Sequence, residues 1–145
     1  MNNYPQDIAE LDLDAVQLAP QMLEAARRFA ASRPWRGTVK RRKAKFRAAI
    51  KDICVAAGVK PPRVIFAVDE ESESGRSCCV PALGLIVLRG RLSVITALHE
   101  VIHLLHGPSE KTAVAISLAL FRVAFPRSFR RLTFRGHMAV ARRRD

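Results

Sequence analysis

The chain is poor in the features that staple, anchor or disorder a protein. Its 145 residues hold three cysteines, Cys54, Cys78 and Cys79, an odd number with two adjacent. Neighbouring cysteines rarely bridge, so no disulfide framework is expected and a reducing compartment fits best. They read as small buried residues. Long apolar runs are also missing. The longest largely apolar stretch, Ala113 to Phe121, ends at Arg122 and is too short to span a bilayer. The opening MNNYPQDIAELDLD is acidic without an apolar centre, so it does not read as a secretory signal. The expectation is a cytoplasmic protein with no membrane span. Aromatic residues make up only 6%, with a single Trp and a single Tyr, so the core must be mainly aliphatic.

What is present is enough for one domain with a real core: 49% of the residues are apolar. The formal charge of +12 is unevenly placed. Residues 31–60 carry ten Lys/Arg against one Asp, and residues 113–145 carry eight Arg against one Asp, whereas residues 1–30 are net acidic. Such asymmetry points to an acidic partner: nucleic acid such as DNA, an anionic surface or an acidic protein. A solvated basic surface without a partner would have the same composition.

Helical spacing places Met22, Ala26 and Phe29 on one face of a first helix from Pro20 to Ser32. Pro34 and Gly37 break the chain, and Thr38 is suited to cap a second helix with Phe46, Ala49, Ile50, Ile53 and Ala57 on its apolar face. Gly58 ends it, and Pro61-Pro62 forbids continuation. Val64 to Val68 reads as a strand, followed by an acidic loop from Asp69 to Gly75 that lacks EF-hand spacing. Ser77 to Val80 and Leu83 to Leu88 read as two further short strands. Ser93 caps a third helix ending at Gly107-Pro108, and Ser109 caps a fourth running to about Ala124, apolar nearly all round and hence buried. The order ααβββαα predicts an α+β fold, a small three-stranded sheet with helices on one side. In domain terms this gives an N-terminal helical segment at 1–37, a core at 38–126 and a basic tail at 127–145, where Phe129, Leu132 and Phe134 offer some packing.

The sharpest signal is His99-Glu100-Val101-Ile102-His103 on the third helix. Histidines at i and i+4 point the same way, so their ring nitrogens can converge on one zinc ion. Glu100 flanks that position and can take a proton from bound water, the general-base arrangement of HExxH peptidases. Leu98, Val101, Ile102 and Leu105 supply the apolar face of the same helix.

A catalytic zinc needs a third protein ligand. After Glu100 the only carboxylates are Glu110 and Asp145, and the only later histidines His106 and His137. His106 lies a rise of about 10 Å beyond His99 on one helix, too far for one zinc to bind both ends easily. It is better suited to hydrogen-bond a ligand. Glu110 opens the fourth helix, and comes within reach if that helix folds back over the third. Its first-turn position is also explained by the helix dipole alone. Glu110 stands first, with His137, and then His106 or water, as the remaining choices.

HEVIHLLH followed by Glu110-Lys111-Thr112-Ala113, after a strand GLIVL, resembles the ImmA/IrrE family of HExxH zinc metallopeptidases over roughly residues 46–126. That resemblance implies His99, His103 and Glu110 as zinc ligands in the gluzincin manner, Glu100 as catalytic base, and an intracellular peptidase acting on a protein substrate such as a repressor. Ile102 stands where the family usually has Gly, Val114 where it has Asn, and the spacer to Glu110 is shorter.

Two other readings compete. The second helix carries Lys40, Arg41, Arg42, Lys43, Lys45 and Arg47, several of them opposite its apolar face, as phosphate contacts require. Combined with HExxH, that surface suits a SprT-like protease acting on DNA-bound proteins, for which His137 would be the third ligand. Without catalysis it suits a nucleic-acid-binding regulator. For a peptidase, His137 or a tail arginine is the donor available to a tetrahedral oxyanion. The strand at 83–88 is the expected edge for an extended peptide.

Overall fold

The computed structural model describes residues 11–67, 76–135 and 138–141. The fold is α+β, as the pattern predicts. Helix α1 (Pro20–Ala31) buries Met22, Ala25, Ala26 and Phe29. Helix α2 (Val39–Ala56) buries Phe46, Ala49, Ile50, Ile53 and Cys54. Thr38 caps α2 by accepting from the Arg41 N–H. Its far end closes in a Schellman turn: Val59 donates to Cys54 and Gly58 to Val55, with Gly58 in the left-handed region at φ 71°. Ala57 lies beyond the helix and is exposed, and Cys54 takes the place expected for it in the core.

Strands β1 (Arg63–Ala67), β2 (Cys78–Val80) and β3 (Leu85–Arg89) form one sheet in the order β1-β3-β2. β1 pairs parallel with β3, and β2 pairs antiparallel with β3. The third strand is therefore the middle of the sheet. The edge expected at 83–88 is corrected: β1 and β2 are the edges. A short 3-10 turn, Pro81–Leu83, reverses the chain so that β2 and β3 can pair, a local hairpin that the sequence pattern did not order. Ile86 and Leu88 of β3 are buried toward the helices, while Leu85 and Val87 on the other face are half-buried.

Helix α3 (Val94–His106) buries Ala97, Leu98, Glu100, Val101 and Ile102. Helix α4 (Glu110–Ala124) packs along it and buries Ala113, Val114, Ser117, Leu118, Ala119, Leu120 and Phe121. One core joins α1, α2, α3, α4 and β3. Phe29 sits edge-on to both Phe46 (5.2 Å between ring centroids) and Phe125 (5.6 Å). At the surface, Arg122 of α4 holds Asp14 of the 3-10 turn Leu13–Ala15 at 2.6 Å.

The tail is more structured than a basic extension. Pro126 does not simply end the chain's helical part. It opens a short helix, α5 (Pro126–Arg130), at the first position, where its missing N–H has no intrahelical partner to lose. β4 (Leu132–Arg135) and β5 (Met138–Ala141) then form an antiparallel hairpin, with Leu132 buried. The acidic loop 69–75 and His137 lie outside the described residues.

Candidate metal centre

Two short caps and one glycine set the geometry of HEVIH. Ser93 accepts from the Thr96 N–H and starts α3. Gly107 ends it at φ 94°, ψ −167°, a conformation open essentially to glycine alone. Two residues later Ser109 accepts from the Thr112 N–H and starts α4, which leaves Glu110 in its first turn. This tight connection folds α4 back along α3 and brings Glu110 to the two histidines.

The three side chains meet at their metal-binding atoms. His103 Nε2 lies 3.1 Å from His99 Nε2 and 2.7 Å from Glu110 Oε1. His99 Nε2 lies 3.1 Å from Glu110 Oε2. One ligand atom from each residue falls within 4.8 Å of the others. The side chains are 22%, 12% and 32% exposed for His99, His103 and Glu110, so the cluster is walled by protein yet open to solvent on one side.

The donor set could hold a cation. His103 Nδ1 is 3.0 Å from the Gly107 carbonyl oxygen, which can only accept, so Nδ1 carries the proton and donates. In a neutral ring, Nε2 is then a bare lone pair aimed at a carboxylate and at a second imidazole. Burial holds His99 below its ordinary pKa, against the opposing pull of the Glu110 carboxylate, and so favours the neutral ring. Three acceptors facing one point are satisfied by a positive ion between them. A tetrahedral site with bonds of about 2.0–2.1 Å would set its ligand atoms roughly 3.3 Å apart, close to the spacing found.

Glu100 stands beside this cluster rather than in it. It is one of two buried polar residues among those described, and burial pushes its carboxyl up to about 7, with His103 opposing and Glu110 reinforcing the shift. Cys79 of β2 lies close enough for the Glu100 charge to act on it, and burial is the main reason its thiol is pushed up to about 11. Burial alone brings Cys54 to about 11. Thiols so held are protonated at neutral pH and poor metal ligands.

Comparison with family models, with curated proteins and with solved structures finds no match.

Of the residues singled out from the sequence, the structure brings together His99, His103 and Glu110, with Glu100 alongside. It leaves His106 exposed at the end of α3, outside the cluster. The basic residues of α2 divide into distinct roles. Arg42 donates to the carbonyls of Pro34 (2.9 Å) and Leu92 (3.4 Å). Lys45 donates to those of Arg33 (3.0 Å) and Arg36 (2.9 Å). Lys43 and Arg47 lie over the ring of Phe66 at 5.7 and 4.8 Å. Lys40 and Arg41 alone of the six are exposed without such a contact among the described residues. Sequence reasoning missed the Gly107 carbonyl as the acceptor that orients His103. The Gly-Pro pair was legible as a helix stop, but nothing in it announced which way the carbonyl would face.

Proposed function

We propose that this chain is a zinc-dependent metallopeptidase of the ImmA/IrrE type, with His99, His103 and Glu110 holding the metal and Glu100 as the general base. The observation that carries this reading is the meeting of His99 Nε2, His103 Nε2 and the Glu110 carboxylate next to a buried Glu100. Two imidazoles and one carboxylate, with a face left open, form the donor set of catalytic zinc. When bound, zinc supplies a positive charge that polarises a carbonyl and makes water acidic near neutrality.

The chain's own residues do the rest. Gly107 fixes the His103 tautomer, as a backbone carbonyl does for metal-bound histidines. Glu100 accepts a proton at its carboxylate and passes it to the departing amine. A carboxyl near neutrality is well matched to that exchange, because it gives and takes a proton at similar cost. The substrate would be an extended protein segment. Edge strand β2 packs against α3, and its side without a strand partner among the described residues is the natural place for such a segment to add as a strand.

Among the described residues no helix is long and apolar enough to cross a membrane. The free cysteines fit a reducing, cytoplasmic setting. The test is Glu100→Gln assayed on an unfolded protein substrate. Metal content should stay at the wild-type level while cleavage falls by about 10²- to 10⁴-fold. Cleavage at the wild-type rate would overturn the assignment of Glu100.

A further inference from the structure

The turn between α1 and α2 is built more firmly than a connector needs to be. Arg33 sits in the left-handed region at φ 53°, which non-glycine residues adopt only when their surroundings hold them there. Here the surroundings are the cations of α2. Lys45 binds the carbonyls of Arg33 and Arg36, Arg42 binds that of Pro34, and the Arg36 N–H closes the turn on Arg33 at 2.9 Å. Pro34 is fully buried. Trp35, the single tryptophan, rests edge-on against Phe125 at 6.3 Å yet remains 45% exposed.

Arg33 and Arg36 flank Trp35 in the turn, Lys40 and Arg41 follow in the first turn of α2, and all four are exposed. Among the described residues no carboxylate pairs with any of them. A half-exposed indole is costly to keep in water, and four exposed cations within seven residues of it, without a carboxylate partner among the described residues, concentrate positive charge on this turn and the start of α2. A ligand that offers both a π-face and spaced negative charge relieves both. Nucleic acid does so, and only unpaired bases present their faces, since a duplex keeps them stacked inside.

We propose that the Arg33–Arg36 turn and the start of α2 form a platform for single-stranded nucleic acid, with Trp35 stacking on a base and Arg33, Arg36, Lys40 and Arg41 contacting phosphates. This differs from the set suggested by charge alone. Arg42 and Lys45 build the platform from within instead of touching the ligand, and Lys43 and Arg47 cover Phe66. The inference is independent of the metal site.

The full chain is titrated with an oligothymidylate of about 15 nucleotides. The emission of Trp35 is read beside the anisotropy of a labelled strand. Saturable quenching of the indole is expected, with binding that weakens as salt rises. Trp35→Ala should weaken binding about tenfold without changing the salt dependence. Trp35→Phe should recover part of that loss, and it keeps the ring packed on Phe125 should the alanine variant fail to fold. Replacing Lys40 and Arg41 together by Gln should flatten the logarithmic salt slope by about 1.4, some 0.7 for each lost phosphate contact. Absence of binding at low salt would overturn the proposal. So would binding without quenching, or a folded Trp35→Ala that binds like wild type. Tighter binding to a duplex of the same length would also overturn it, and polyglutamate that quenches Trp35 equally well would point to an acidic protein instead.

Discussion

His103 donates from Nδ1 to the Gly107 carbonyl oxygen at 3.0 Å, and that bond turns its Nε2 to within 2.7 Å of Glu110 Oε1. A backbone acceptor one turn along the helix thus decides which ring nitrogen faces the candidate metal. The same glycine ends α3 and lets α4 double back, so the position of the third ligand and the tautomer of the second share one cause.

Gly107→Ala should accordingly do two things. A Cβ there meets nothing within 4 Å, but the backbone conformation disfavours any side chain, so stability should fall by about 1–3 kcal/mol. If the backbone relaxes, the carbonyl leaves His103, and zinc affinity should drop by roughly 10- to 100-fold. Chemical unfolding and a chelator competition read the two effects separately. Lost stability with unchanged zinc affinity would show that the carbonyl does not orient the ring.

The pairing of α1 with α2 carries a pH signature. Asp52 accepts from Arg28 Nε at 2.7 Å and Nη2 at 2.8 Å, and these bonds hold its carboxyl below the usual range despite partial burial. The ionised form is therefore favoured by folding. Its contribution is present above the unfolded carboxylate pKa of about 3.9, and is lost as pH falls through the lowered native value. Urea midpoints should show Asp52→Asn less stable than wild type at neutral pH, by a modest amount for so exposed a pair, with the gap closing in acid. An equal gap at both pH values would assign the loss to packing rather than to charge.

Phe46 tests where the core sits. It is fully buried and edge-on to Phe29. Truncation to alanine should cost about 3–5 kcal/mol. Val55, on the same helix but 60% exposed, should cost less than about 0.5 kcal/mol when truncated. Similar midpoints for the two variants would contradict the orientation of α2.

Local physics was readable in the sequence. Thr38, Ser93 and Ser109 each cap the helix expected of them, because a hydroxyl three residues ahead of a free N–H is a short-range signal. Glu110 was legible for a related reason: Gly107-Pro108 leaves a connection so short that the next helix must start beside the last. What escaped depends on pairing at a distance. Leu85–Arg89 looks the same in sequence whether it is an edge or a middle strand, and only the partners β1 and β2 decide. The strand pair β4–β5 was masked by Arg135 and by the arginines that flank it. Arg42 and Lys45 look like any other basic residues until the carbonyls of the preceding turn are placed under them. The nearness of Cys79 to Glu100 likewise comes only from packing β2 on α3.

The most direct measurement is the metal content of the purified chain beside His103→Ala, Glu110→Ala and His106→Ala. The account predicts one zinc per chain in the wild type and in His106→Ala, and its loss or steep weakening in the other two. Zinc retained at full affinity in Glu110→Ala, or no metal in the wild type after loading, would contradict it.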